Sequence, residues 1–231
     1  MKVLVIIPAF NEEESIMNTI NSLKNSNSQI DYCIINDCST DGTELVCKTN
    51  KLNYISLPSN LGIGGGVQTG YKYAFQNNYD IAIQIDGDGQ HNPLYIPNLI
   101  QPIENCSADM VIGSRFIEKE GFQSTSARKA GIRLLKNLIF VCCGVKINDP
   151  TSGFRACNKE MIEFFAKNYA QDYPEPEAII AAKLKGFNII EVPVIMSERQ
   201  GGKSSIDFLK SIYYMIKVSL AIIVNRFSKI N

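Results

Sequence analysis

Short apolar runs alternate with stretches of helical period along the N-terminal half of the chain. Val3–Ile7 precedes a helical pattern over Glu12–Lys24, and Tyr32–Ile35 precedes one over Thr43–Lys48. Tyr54–Leu57 leads into Val67–Gln76, Ile81–Ile85 into Tyr95–Ile103, and Met110–Gly113 closes the series. Strands that are apolar at every position belong in a sheet covered on both faces, and β-α alternation makes that sheet mostly parallel. The predicted class is therefore α/β, with a mostly parallel central sheet flanked by helices. Polar clusters end the strands: Asn11–Glu14, Asn36–Asp41, Asp86–His91 and Gly113–Arg115. Ligands of open α/β sheets bind beyond the carboxyl ends of strands, so these clusters are expected to converge on one crevice. Past Phe116 come a basic–apolar stretch (Arg128–Lys146), a loop (Asp149–Arg155) and a Pro-rich acidic segment (Asp172–Glu177). An apolar strand (Ile189–Met196) and a long helical pattern (Ile206–Phe227) follow, and no repeat or linker divides the chain.

Composition narrows the function classes. The chain has 231 residues, 45% hydrophobic and 20% charged, a globular balance that excludes disordered, collagen-like and coiled-coil builds. Lys plus Arg number 23 and Asp plus Glu 23, for zero net charge, so nucleic acid is not an expected partner. Seven Cys include no CxxC pair and are expected to be reduced, mostly buried thiols of a cytoplasmic protein. The opening MKVLVIIPAF meets Pro8 too soon for a secretory h-region, and no apolar run reaches the ~18–20 residues of a bilayer span.

Candidate chemistry concentrates in the strand-end clusters. Directly after an apolar strand comes Gln84-Ile85-Asp86-Gly87-Asp88-Gly89-Gln90-His91. Two carboxylates one residue apart, on a backbone freed by glycines, suit a hard divalent cation that also holds substrate phosphates. A plain Asp-Gly turn is the competing reading; the position after a buried strand favours the metal. His91, the only His, is either a further metal or phosphate contact or an ordinary loop residue. After the second strand, Asn36-Asp37-Cys38-Ser39-Thr40-Asp41-Gly42-Thr43 pairs an acceptor carboxylate, Asp37, with capping residues for the next helix.

Asn60-Leu61-Gly62-Ile63-Gly64-Gly65-Gly66 is not a GxGxxG, because Val67 takes the third glycine's place. Nor does Gly202-Lys203-Ser204 end a Walker A loop, because Ser197 stands where its first glycine belongs. The glycine cluster reads as a tight turn that lets the backbone approach a ligand or another strand before a helix. Arg115 supplies fixed positive charge, as does Arg199-Gln200-Gly201-Gly202-Lys203-Ser204-Ser205. Arg199, Lys203 and Ser204 on a glycine-hinged loop suit a leaving pyrophosphate or a closing lid, with a mobile surface loop as the alternative. In Asp172-Tyr173-Pro174-Glu175-Pro176-Glu177 two prolines hold two glutamates close together. One of them can take the proton of an acceptor hydroxyl, as direct displacement at a sugar carbon requires. Alternatively both complement the dipole of a helix that the prolines begin.

Taken together, the chain resembles the family 2 glycosyltransferases of GT-A fold, which use nucleotide-sugar donors. The resemblance runs through Ile7-Pro8-Ala9-Phe10-Asn11-Glu12-Glu13, the Asn36–Thr43 segment, Asn60-Leu61-Gly62, the Asp86–His91 segment and Gly113-Ser114-Arg115. It continues through Asp149-Pro150-Thr151-Ser152-Gly153-Phe154-Arg155 and Tyr173–Glu177 to Arg199–Ser205. The nearest subgroup is the dolichyl-phosphate mannose synthase-like and bacterial surface-polysaccharide transferases. The resemblance implies one Rossmann-like GT-A domain over residues 1–231. Within it, 1–116 is the nucleotide-sugar-binding half, 117–205 the acceptor and catalytic half, and 206–231 a C-terminal amphipathic helix. It also implies that Pro8, Phe10, Glu12, Asp37 and Gly62 line the nucleoside pocket. Asp86 and Asp88, with Gln90, hold Mg²⁺ or Mn²⁺ on the diphosphate. Arg115, Arg199 and Lys203, with Ser204, answer the leaving nucleoside diphosphate. Inversion in one step implies a carboxylate base, Glu177 or Glu175, with Glu177 favoured because it follows the second proline. The family often writes this base as a Glu-Asp pair, and Asn36 stands where many relatives carry Asp.

Ile132–Val145 and Ile206–Phe227 are apolar with basic residues at their edges, as in helices lying in a membrane interface. Core packing plus a dimer contact is the competing use of these stretches. The subgroup's lipid-phosphate, lipid-linked and glycan acceptors favour a peripheral enzyme at the cytoplasmic face of the membrane. Two other functions are weighed. A nucleotidyltransferase would open with a Gly-rich basic loop, whereas the first strand here ends in Pro-Ala-Phe-Asn-Glu-Glu-Glu. A non-catalytic nucleotide-sugar-binding subunit would have lost its acids, whereas Asp86, Asp88, Glu175 and Glu177 are present.

Overall fold

The computed structural model describes residues 1–26, 30–121, 126–171 and 174–197, with Lys217 and Leu220 beyond them. The apolar runs become β1 (Val3–Ala9), β2 (Asp31–Asn36), β3 (Tyr54–Ser56), β4 (Ile81–Gln84) and β5 (Met110–Ser114). β6 (Arg155–Asn158) and β7 (Ile189–Pro193) follow. The strands form one sheet in the order β3-β2-β1-β4-β6-β5-β7. β1 pairs in parallel with β2 and β4, β2 with β3, and β5 with β7, while β6 runs antiparallel between β4 and β5. The sheet is therefore mixed but mostly parallel.

Alternation along the strands fills two core layers, one on each face. Leu4, Ile6, Cys33, Ile35, Ala82, Met110, Ile112 and Cys157 belong to the first, with Val67, Tyr71 and Ala74 of helix packing over them. Val5, Ile7, Ile34, Ile81, Ile83, Val111 and Ala156 belong to the second, against Ile16, Ile20 and Leu23. Burial on both faces explains why the strands read as continuous apolar runs rather than alternating ones.

Helices α1 (Ile16–Ser26), α2 (Thr43–Thr49), α3 (Gly62–Gln76) and α4 (Ile96–Glu104) cover the first half. α5 (Ser126–Cys143), α6 (Lys159–Lys167) and α7 (Pro174–Leu184) cover the second. α1 starts four residues later than its periodicity predicts, because Glu12–Ser15 form a preceding turn in which the Ser15 and Ile16 N–H groups donate to the Glu12 carbonyl at 3.2 and 2.9 Å. β6 and α6 were hidden in what reads as loop and polar sequence. β6 is short and begins with an arginine, and α6 is announced only by the Asn158 side chain, which accepts from the Met161 N–H at 2.9 Å. The thiols are less uniformly buried than predicted: Cys33, Cys47 and Cys157 are buried, Cys38, Cys142 and Cys143 partly so, and Cys106 is exposed. Burial pushes the Cys33 and Cys157 thiols up to about 12 and the Cys47 thiol to about 11, so all three stay protonated at neutral pH.

The glycine cluster corrects the expected turn. Gly62 has φ +75°, a conformation L side chains rarely adopt, but Gly64, Gly65 and Gly66 lie inside α3 and are buried. The reason is close packing. The Gly64 N–H donates to the Gln171 carbonyl at 3.2 Å, and a Cβ at Gly64 would run into the backbone of Ala170 and Gln171. One turn on, a Cβ at Gly70 would collide with the Ile6 side chain of β1. The expected outcome of Gly70→Ala is a loss of about 1–3 kcal/mol of stability from overpacking against β1. Urea unfolding at constant m-value checks it, and an unchanged midpoint would refute the packing account.

Candidate active site

The parallel strands deliver their polar ends to one edge of the sheet. β1 and β2 end side by side, with Ala9 opposite Asn36, and the loops beyond them are tied together. The Asn11 N–H donates to Ser39 Oγ at 3.0 Å, and the Thr40 N–H donates to Asn11 Oδ1 at 2.8 Å. Asn11 and Cys38 take positive φ of 57° and 56°, which bends the two loops toward each other. Glu13 accepts from the Gly42 N–H at 2.6 Å, a further tie between the two loops.

Asp37 lies at the floor of this corner, only 5% exposed. Its N–H donates to the Ala9 carbonyl at 2.9 Å, and its Oδ1 accepts from the Leu61 N–H at 2.7 Å. That second bond brings the start of α3, with Gly62, beside the β2 loop. Pro8 is buried, while Phe10, Leu61 and Ile63 are exposed large apolar side chains around the same corner. Glu12 is buried; its Oε2 accepts from Ser15 Oγ at 2.6 Å and its N–H donates to Thr43 Oγ1 at 2.8 Å. Asn36 makes a contact that a carboxylate could not: its amide donates to Ser56 Oγ at 2.9 Å, while its Oδ1 accepts from the Ser39 N–H at 3.2 Å.

β4 ends directly below Asp86. The turn Asp86–Gly89 is pinned from several sides. The Gly87 carbonyl accepts from Thr19 Oγ1 at 3.0 Å, Gly89 takes φ +77°, and Asp88 Oδ1 accepts from the Gln90 N–H at 3.0 Å. Gln84 Nε2 donates to Asp86 Oδ1 at 3.3 Å. His91 is resolved in favour of support. It is 5% exposed, stacks on Phe154 at 5.0 Å between centroids, and its Nδ1 accepts from the Asp86 N–H at 3.0 Å. The ring proton of the neutral imidazole therefore sits on Nε2, 3.7 Å from Asp86 Oδ2. Gln90 turns its amide nitrogen to the Ser197 carbonyl at 3.4 Å.

Arg115 departs from its predicted place. Its guanidinium is buried and grips Asp149 through Nε at 2.6 Å and Nη2 at 2.7 Å, with Nη2 also on Thr151 Oγ1 at 3.0 Å. A bidentate pair of this kind fixes geometry as well as charge. The positive charge expected to face a diphosphate is thus matched within the fold. Sequence reasoning gave Asp149 no partner and did not single out Glu191, whose carboxylate accepts from the Asn148 and Asp149 N–H groups at 2.6 and 2.7 Å. No local pattern links residues 115, 149 and 191; the pairing of β5 with β7 brings them together.

The acidic segment forms the first turn of α7, with Pro174 its first residue. This agrees with the helix-start reading of the prolines and leaves Glu175 and Glu177 half-buried at the helix N-terminus. Tyr169 connects this turn to the Asp86 side. Its ring packs on Tyr71 and Phe165 at 5.4 and 5.0 Å between centroids. Burial pushes its hydroxyl pKa far above the usual range; Arg155 pulls the other way, and Glu175 and Asp86 add to the rise. Asp172 and Tyr173 lie outside the described residues, as do Arg199, Lys203 and Ser204 and nearly all of the C-terminal helical pattern. Among the described residues no group of three or more His, Cys, Asp or Glu stands ready to hold a metal by itself.

A profile of the family described as Glycosyl transferase family 2 matches residues 4–165. UDP-N-acetylglucosamine–dolichyl-phosphate N-acetylglucosaminyltransferase of Methanococcus voltae is 34% identical over 212 residues, which cover 83% of this chain and 84% of that protein. Undecaprenyl-phosphate mannosyltransferase of Micrococcus luteus is 28% identical over 216 residues, covering 88% and 87%. Among solved structures, glucosyl-3-phosphoglycerate synthase from Mycobacterium tuberculosis, in complex with Mn²⁺, uridine diphosphate and phosphoglyceric acid, superposes with a TM-score of 0.72. That match covers 97% of this chain and 78% of the other at 20% sequence identity, a likeness of fold. With the family profile spanning most of the sheet and a relative of one-third identity along most of its length, the chain belongs to glycosyltransferase family 2.

Proposed function

We propose that this glycosyltransferase moves a sugar, with inversion, from a nucleotide-sugar donor to a polyprenyl-phosphate acceptor presented at a membrane surface. The observation that carries the reading is the meeting of three elements at one sheet edge: the Asp37 corner, the Asp86–Gly89 turn and the acidic start of α7. The relatives named for dolichyl phosphate and undecaprenyl phosphate support the acceptor class. In this reading residues 1–116 bind the donor and 117–205 bind the acceptor within one domain. The apolar side chains of Phe10, Leu61 and Ile63 flank the nucleoside, and Asp37 accepts from its polar groups.

Asp86 and Asp88 fit a divalent cation shared with phosphates. Gly153 leaves the space in front of Asp86 open, since a Cβ there would stand 3.0 and 3.3 Å from the two carboxylate oxygens. Two carboxylates leave the other positions of Mg²⁺ or Mn²⁺ to diphosphate oxygens, Gln90 and water. When bound, the ion supplies positive charge where negative charge develops on the leaving diphosphate. Asp86 keeps its orientation through Gln84 and His91 rather than through the ion. As a phosphate oxygen of the acceptor bonds to the anomeric carbon, the bond to the diphosphate breaks, and the one proton of the monoanionic acceptor phosphate passes to the carboxylate of Glu177, or of Glu175. Arg199 and Lys203 are assigned to the departing diphosphate. Arg115 instead holds the Asp149–Gly153 loop that backs Asp86.

α5 supplies a surface for the lipid. Leu134, Phe140 and Val141 are 54%, 47% and 80% exposed, and Arg133 is exposed beside them. Apolar side chains rimmed by cations suit the headgroup level of an anionic bilayer. No helix among the described residues is long and apolar enough to cross a membrane.

Three outcomes test the reading. Purified protein with undecaprenyl phosphate, a nucleotide sugar and Mn²⁺ should release nucleoside diphosphate, and release of pyrophosphate would point to a nucleotidyltransferase. Chelation by EDTA should stop that turnover, and Asp86→Asn or Asp88→Asn should lower it about 10²–10³-fold; a rate indifferent to EDTA would remove the metal role. Glu177→Gln should lower kcat about 10²–10⁴-fold while donor binding by calorimetry persists. If Glu175→Gln does this instead, the base moves to Glu175. For the surface, the Phe140→Asp, Val141→Asp pair should abolish co-sedimentation with anionic vesicles and leave the melting temperature unchanged.

A further inference from the structure

Arg155 opens β6 and is only 1% exposed, yet it is the side chain that joins the two halves of the site. Its Nε donates to the Ser152 carbonyl at 2.7 Å and its Nη2 to the Pro150 carbonyl at 3.1 Å. Its Nη1 donates to the Glu175 carbonyl at 2.7 Å. The first two bonds hold the loop whose Gly153 packs against Gln84 and Asp86. The third holds the first turn of α7, which carries Glu175 and Glu177. Arg155 also stands directly across the β4–β6 ladder from Gln84, the residue that donates to Asp86. One rigid, planar guanidinium therefore spans the structure backing Asp86 and the turn bearing the acidic residues.

We propose that Arg155 is a positioning residue that sets the distance between the Asp86–Asp88 carboxylates and the Glu175–Glu177 turn. The inference rests on the reading of that turn as the place where the acceptor loses its proton. The fork geometry of the guanidinium matters more than its charge, because three carbonyls lying in different directions need three fixed donors. A lysine keeps the charge but cannot span the same three oxygens. Its charge also reaches the aromatic wall between the halves: Arg155 acts on the Tyr71 and Tyr169 hydroxyls and on the Cys157 thiol. Displacement of a reacting group by about 1 Å costs on the order of 10²-fold in rate. A residue that only positions the acidic turn should leave donor binding intact, since Asp37, Glu12 and the Asp86–Gly89 turn are held by other contacts.

The test is steady-state kinetics of Arg155→Lys on the full chain, with undecaprenyl phosphate in vesicles and saturating Mn²⁺. The expected result is a kcat lowered about 10²-fold with donor KM within threefold of wild type. Hydrogen exchange should also quicken at the α7 amides over 175–180 while the amides of β1 and β4 stay protected. Arg155→Gln, which keeps two amide donors without the charge, serves as the second variant if Arg155→Lys does not accumulate as folded protein. An unchanged kcat, a KM rising in parallel with the loss of kcat, or exchange quickening throughout the sheet would each overturn the assignment. The underlying reading fails separately: if Glu175→Gln and Glu177→Gln both keep full turnover, the acidic turn is not the proton acceptor, whatever Arg155→Lys does.

Discussion

The parallel pairing of β1 with β2 on one side and β4 on the other decides where every loop of the site emerges. In that pairing Ala9 stands opposite Asn36, so β1 and β2 end together, while β4 ends at Gln84 opposite Ile6, three residues before the end of β1. Each of these strands is buried on both faces, and its interior positions have no room for a polar group without a partner. Carboxylates are therefore confined to the strand ends. Asp37 and Asp86 sit one residue and two residues past β2 and β4. The close approach of α3 to β1 at Gly70 and Ile6 holds the covering helix at the distance this arrangement needs.

β6 changes the meaning of the second half. A reversed strand between β4 and β5 starts at the edge where β4 ends, so the Asn148–Phe154 loop that leads into it opens beside Asp86. A loop lodged there must satisfy its own backbone groups, and charged side chains do it: Glu191 takes two N–H groups, Asp149 takes the Arg115 guanidinium, and Arg155 caps three carbonyls. The zero net charge of the sequence thus includes ions used for architecture as well as ions suited to ligands. Arg115 illustrates the difference. By residue type and position it resembles a diphosphate contact; by partner it is a bidentate clamp on Asp149.

His91 and the glycine cluster carry the same lesson at smaller scale. A lone histidine beside two aspartates looks like a ligand, but its Nδ1 accepts the Asp86 N–H and its ring lies flat on Phe154. Glycines before a helix look like a ligand-binding turn, but Gly64 admits the backbone of residues 170–171. In each case the atom in contact, rather than the residue type, determines the role.

The succession of strands and helices along the first half, the two-faced burial of those strands and the strand-end position of Asp37, Asp86 and Asp88 were legible in the sequence. They follow from local rules: apolar period, the length of a run, and the turn chemistry after it. The family resemblance was legible for a related reason, since each of its motifs is a short, contiguous run of residues. The antiparallel β6, the burial of Arg115 on Asp149, the reach of Glu191 and the threefold grip of Arg155 were not. Arg115 and Asp149 lie 34 residues apart, Asn148 and Glu191 43, and Arg155 and Glu175 20, so tertiary packing rather than any local pattern brings them within hydrogen-bond distance. Period and turn signals are local, so the sequence already marks the residues able to carry the chemistry; which charges are taken up inside the fold depends on which buried donor finds which acceptor, and that is a matter of tertiary packing.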